Sequence, residues 1–238
     1  MALVAFVLLE HRQRLPMIDL TLFRNATFSG ANVAMLMSAL SMFGIFFFNS
    51  LFFQTIVGWS ATQTGAMFLP MTLLIVVLAP QAGRISDRIG SRWLIGGGMT
   101  LLSGSLLLFA QLDQQSTFWD VLPGLLLGGF GMAMTMTPTT AAVMGSVPTD
   151  KAGVGSAILN SARQVGGSLG IAVMGAVVAS QITVGRHSPR FADQFVTGYH
   201  HALYVAAGTA LGGALIAVAT VRHVHHQAPA DAAAAVGV

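Results

Sequence analysis

Between two long apolar stretches runs Gly83-Arg84-Ile85-Ser86-Asp87-Arg88-Ile89-Gly90-Ser91-Arg92, which carries three arginines, one aspartate and two glycines. Gly83 and Gly90 allow a tight reversal of the chain. Asp87 can cap or face a helix N-terminus, where the dipole favours negative charge. Arg88 and Arg92 can bind carbonyls, carboxylates or anionic headgroups. A segment that only needed positive charge would not need the Gly–Asp–Arg–Gly spacing.

A second arrangement centres on Arg163, with Asn160 and Gln164 beside it in a run otherwise made of small and apolar residues. An unpaired arginine deep in hydrocarbon costs at least ~2.5 kcal/mol, so it should face a polar cavity or a partner. The alternative is a helix that extends beyond the membrane, with Arg163 snorkelling to the headgroups. Asn32, Asn49 and Gln54 are further polar candidates, although amides also join helices to one another. No catalytic or metal-binding set accompanies them. Cysteine is absent, His200 and His201 fall near a helix end, and His223, His225 and His226 fall in the tail. Membrane proteases and metal-dependent membrane enzymes need intramembrane His or Asp clusters, and none stands in these runs. No Asp or Glu lies deep in them either, so a proton-coupling group lies elsewhere or coupling is absent.

The elements that hold these residues follow from composition. Only 8% of the 238 residues are charged, 54% are hydrophobic, and the mean hydropathy is +0.73. A soluble fold could not cover its surface with so few polar groups, and a disordered chain shows the reverse bias. The surplus of basic residues (11 Lys and Arg against 8 Asp and Glu) records membrane topology rather than nucleic-acid binding. Charge-free runs extend over 25–83, 93–112, 121–149, 164–185 and 194–221. A helix needs about 20 residues to cross ~30 Å of hydrocarbon, so four of the runs hold one helix each. The first run holds two, broken at the polar stretch Val57 to Gly65. The chain is therefore all-α, an integral membrane bundle of six helices at about 27–54, 65–82, 93–111, 120–146, 153–180 and 199–221.

Lysines and arginines set the expected orientation. Arg12, Arg14, Arg24, Arg84, Arg88, Arg92, Lys151 and Arg222 fall on one side, and Arg186 and Arg190 on the other, which puts both ends in the cytoplasm. Trp59, Trp93 and Trp119 each fall at a helix end, where the headgroup layer suits an amphipathic ring. Residues 1–26 read as the tail of an earlier helix (Met1 to Leu9) plus a cytoplasmic linker, 27–222 as the bundle, and 223–238 as a disordered cytoplasmic tail. Gly124 and Gly128, Gly166 and Gly170, and Gly208 and Gly212 are each four apart, the spacing that lets helices approach closely in lipid. Pro70, Pro80 and Pro138 fall within helices and should kink them.

The segment from Gly83 to Arg92 resembles the cytoplasmic signature of the major facilitator superfamily, G-x-L-a-D-r-x-G-r-[kr], with Ile85 for the usual Leu and Ser91 for the usual Arg. Other segments look like its fourteen-span drug:proton antiporters. These are the basic linker Arg14-Leu15-Pro16 through Asn25, the stretch Gln54 to Gly58, Ala152 to Ala157, and Asn160 to Gly167. The resemblance covers about residues 10 to 222. It implies the C-terminal six-helix half of a transporter in which two bundles rock about a central cavity. Gly83, Asp87, Arg88, Gly90 and Arg92 would then gate the cytoplasmic closure. Asn49, Gln54, Asn160, Arg163 and Gln164 are the candidate cavity-lining residues.

The function this implies is proton-coupled efflux of drugs or other small molecules across the cell membrane by alternating access. Its partners would be a small-molecule substrate, protons, the lipid bilayer and an N-terminal helix bundle that carries the coupling carboxylate. No cofactor, metal or nucleic acid is called for. The alternative is a six-helix membrane subunit, or a fragment without transport of its own, that needs a partner bundle.

Overall fold

The structure, a computed structural model, describes residues 20–185 and 188–222. Among the described residues seven α-helices follow one another: α1 (Ala26–Phe52), α2 (Ala61–Met67), α3 (Leu69–Ile89), α4 (Ser91–Phe109), α5 (Phe118–Gly145), α6 (Ala152–Gln181) and α7 (Phe191–Thr220). No strand occurs among the described residues. Helices α2 and α3 form one span, Ala61–Ile89, so that six segments are long and apolar enough to cross a membrane. The all-α six-helix bundle expected from composition is the observed fold. The expected helix remnant at Met1 to Leu9, the linker as far as Asp19, Arg186 and the histidines from His223 onward lie outside the described residues.

Helix ends depart from the expected ones where charges were read as boundaries. Helix α3 continues through Arg84, Asp87 and Arg88 to Ile89, and α7 begins at Phe191, ahead of Asp193. A charge ends the part of a helix that hydrocarbon tolerates, but hydrogen bonding continues beyond it. Pro70 lies in the first turn of α3, just after the break at Phe68, where its missing N–H costs nothing. Pro80, Pro123 and Pro138 lie inside helices that run on through them. Around Pro138, Thr135 donates to the Gly131 carbonyl at 2.7 Å and Thr139 to the Thr135 carbonyl at 2.6 Å. Such back-bonding goes with helix bending.

The packing has an internal two-fold pattern. Helix α1 lies against α6 and α7, α5 lies against α3 and α4, and α4 and α7 meet at the back. Helices α1 and α5 touch in the middle, which leaves α3 and α6 at the edges of the opposite, front face. Within an 18-residue apolar stretch of each span, 17% is buried in α2–α3 and 28% in α6, against 61% in α1, 56% in α4 and α5, and 44% in α7. Small residues set the tightest seams. A Cβ on Gly166 or Gly170 would collide with the Leu36 or Leu40 carbonyl of α1. Gly98 and Gly131 form a reciprocal seam between α4 and α5, where a Cβ on either would lie 2.7 Å from the carbonyl of the other. Gly124 and Gly128 pack on the Phe109 ring and the Ser105 hydroxyl, with Cβ approaches of 2.7 and 2.8 Å. Gly208 and Gly212 meet no atom within 4 Å, because α7 turns the adjacent Gly213 toward Met37 and Met99 instead.

Several polar side chains in the core bond across helices, while others bond to carbonyls of their own helix. Ser41 donates to the Ala206 carbonyl at 3.0 Å, Ser103 to Ala207 at 3.0 Å and Ser105 to Gly124 at 2.7 Å. Tyr199 is fully buried on α7, stacks on Phe52 with centroids 4.8 Å apart, and donates its hydroxyl to Asn49 Oδ1 on α1.

Two stability predictions follow from this packing. Gly170→Ala should lower stability in detergent by about 2 kcal/mol or more, because a backbone carbonyl cannot move aside cheaply. Gly208→Ala should leave it unchanged, so equal thermal unfolding of the two variants would contradict the seam. Tyr199→Phe should cost about 1–2 kcal/mol by stranding the Asn49 amide. Adding Asn49→Leu should restore part of that loss, and strictly additive losses would show that the two side chains are uncoupled.

Candidate functional site

The signature segment is more helical than its glycines suggest. Gly83 lies inside α3, where a Cβ would approach Thr137 Cγ2 of α5 at 3.3 Å. The reversal into α4 occupies Gly90 alone, at φ 90° and ψ 146°, a conformation open in practice only to glycine. A hydrogen bond of 2.9 Å between the Ser86 and Ser91 hydroxyls ties the two helices across the turn. Asp87 and Arg88 stand exposed on the last turn of α3, while Arg92 is half-buried with its guanidinium 5.2 Å from the Trp93 ring centre. The turn thus fixes one carboxylate and one guanidinium on a surface that this bundle leaves open.

The second site lies between α1, α5 and α6. A cleft of about 440 Å³ is lined by Met35, Met136, Thr140, Ser156, Asn160 and Arg163, with Gly153, Ala157 and Leu159 beneath. It continues into a narrow apolar slot bounded by Ser38, Met42, Phe43, Leu102, Met132 and Thr135, and Met35, Met136 and Arg163 border both. The slot's two hydroxyls are already engaged, Ser38 with the Met35 carbonyl at 2.9 Å and Thr135 with Gly131. The slot is therefore apolar despite them.

Arg163 sits at the junction. Its Nη2 donates to Asn160 Oδ1 at 2.6 Å, one turn back on the same helix. Helix α6 has 30 residues, and its midpoint falls between Gly166 and Gly167. With ~30 Å of hydrocarbon centred there, the Arg163 Cα lies about 10 Å below the nearer interface. The side chain borders the cleft.

The other cavity candidates are not gathered here. Asn49 is in the core with Tyr199. Gln54 is exposed on the single π-turn Phe53–Val57 that ends α1 and bonds to Ser50 at 2.7 Å. Gln164 is exposed on α6 outside both linings. Sequence reasoning passed over the methionines. Met35 and Met42 are seven apart, and Met132 and Met136 four apart. Each pair shares a helix face, and that spacing was the available signal.

Residues 9–171 match the family model of the Major Facilitator Superfamily. The chain is 34% identical over 178 residues to Multidrug resistance protein Stp of Mycobacterium tuberculosis, covering 75% of this chain and 33% of that protein. It is 35% identical over 187 residues to the tetracenomycin C resistance and export protein of Streptomyces glaucescens, covering 76% and 34%. With puromycin resistance protein pur8 of Streptomyces alboniger it shares 31% over 224 residues, covering 90% and 44%. The chain thus spans about a third to under half the length of these relatives. With six apolar spans, a helix turn of the signature type and a family match over most of its length, this chain belongs to the major facilitator superfamily, a multi-pass membrane family of transporters rather than enzymes.

Proposed function

We propose that the chain is the C-terminal six-helix half of a drug exporter, which moves small molecules out of the cell by alternating access and is driven by protons. The observation that carries this reading is the unequal burial of the bundle. The α1–α5–α6 cleft opens on the same front face that leaves α3 and α6 least covered. A second bundle set against that face would close the cleft into a central cavity and cover the weakly buried helices. The exposed Asp87 would then meet a helix of that bundle by charge–dipole contact, with Gly90 and Arg92 holding the turn in place. The names of the resistance and export proteins that this chain resembles support efflux as the direction, and the Lys and Arg bias of the sequence supports both chain ends in the cytoplasm.

In this reading proton coupling is the work of the other bundle. Among the described residues no carboxylate lines the cleft or the slot. The group that changes charge belongs to the other bundle, and this half supplies cavity wall and gate.

Cells that express the chain joined to the N-terminal bundle of a relative should accumulate less of a fluorescent drug than cells expressing the chain alone. A protonophore should abolish the difference. Equal accumulation in the two cell lines contradicts the reading. In the joined protein, Asp87→Asn should slow efflux about tenfold or more while membrane insertion is retained, the scale of one lost charge-assisted contact. Unimpaired efflux would remove Asp87 from the gate.

A further inference from the structure

Arg163 is a permanent cation set about two-fifths of the way along a membrane helix, and its single bond among the described residues is to a neutral amide. An asparagine oxygen orients a guanidinium but does not neutralise it, and most of its five donors remain unspent. Both the polar cleft and the apolar slot border it, and the described residues lining them include no carboxylate. Met35 and Met136 wall the cleft, and the slot beyond, with room for only about 10 Å³, is closed by Met42, Met132 and Phe43. Thioethers are polarisable, adapt to irregular shapes and favour the edges of aromatic rings. The cleft alone, at about 440 Å³, has the size that drug-like ligands occupy.

We infer that the site takes aromatic molecules carrying an anionic or strongly acceptor group, and that it discriminates against lipophilic cations. The anionic end meets Arg163 beside Asn160, and the ring system packs within the cleft against Met35 and Met136. The inference rests on the transport reading only in naming the occupant as cargo. The selectivity itself comes from charge: a cation placed beside Arg163 in a low-dielectric cleft is repelled, and an anion satisfies a charge that the bundle leaves uncompensated. Methionine walls recognise a ring by polarisability without fixing its outline, so the class is broad in shape and narrow in charge.

Tetraphenylborate and tetraphenylphosphonium test this, since they are nearly identical in shape and opposite in charge. The full chain in lipid nanodiscs should bind tetraphenylborate about tenfold more tightly than tetraphenylphosphonium, after subtraction of binding to empty discs. Arg163→Gln should bring the ratio close to one, whereas Arg163→Lys, which keeps the charge, should retain most of it. Met136→Ala should weaken both ions alike. Equal binding of the two ions by the unaltered chain overturns the inference, as does an undiminished ratio in Arg163→Gln. Indifference of both ions to Met136→Ala also overturns it, because the probes would then lie elsewhere. In the joined two-bundle protein, tetraphenylborate should compete with efflux better than tetraphenylphosphonium. Loss of the preference on joining would show that the other bundle supplies the counter-charge, and would also overturn the inference. Failure of the joined protein to transport, with the Arg163-dependent preference intact in nanodiscs, would count against the transport reading and leave the binding site standing.

Discussion

Hydrocarbon offers no hydrogen bonds, and nearly every feature of this bundle follows from that constraint. Backbone polarity is met inside each helix, and the buried serines and threonines bond to carbonyls of their own or a neighbouring helix. Tyr199 donates to Asn49 Oδ1 across the α1–α7 seam with Phe52 stacked on the phenol, while the buried Asn49 Nδ2 has no partner among the described residues. Arg163 is the exception among ionisable groups at depth. It is held by Asn160 in a cleft rather than by an opposite charge. A group so costly to place in lipid is tolerated where the fold provides a polar opening, which is why the site and the charge coincide.

The same solvent removes the hydrophobic drive for helices to associate, so close approach must replace it. Gly166 and Gly170 bring α6 onto α1, and Gly98 and Gly131 bring α4 onto α5. These seams hold the centre and back of the bundle. They leave α3 with an outward row at Leu69, Leu73, Val76 and Val77, each more than half exposed, and α6 with another at Val165 and Leu169. The front face is thus both the least covered part of the bundle and the place where the cleft opens. The proposed second bundle is the cover that fits both facts.

Much of this was legible in the residues. Charge-free runs gave six spans because charge is what hydrocarbon rejects, and the break falls within Val57–Gly65 but is shorter, since the π-turn after α1 runs to Val57 and α2 already begins at Ala61. The runs misplaced helix ends by up to two turns, at Ile89 and Phe191, because backbone hydrogen bonds ignore the membrane boundary. Arg163 and Asn160 stood out by chemistry and do line the cleft, whereas Asn49 has the same chemistry and lies in the core. Residue type could not separate them, since the distinction depends on which face of α1 meets α7. The glycine spacing failed for a related reason. A four-residue interval marks a smooth stripe, but only rotation about the helix axis decides whether that stripe meets a neighbour, as Gly166 does and Gly208 does not. The methionine wall was missed because methionine at helical spacing also describes an ordinary core.

The central claim is that one face of α6 borders a water-filled cleft at membrane depth while another face does not. Single cysteines placed at Asn160, Arg163 and Leu169 of the full chain in nanodiscs measure this through their rates of reaction with a membrane-impermeant thiol reagent. The account predicts rapid modification at Asn160 and Arg163 and protection at Leu169. Protection at all three positions would contradict it.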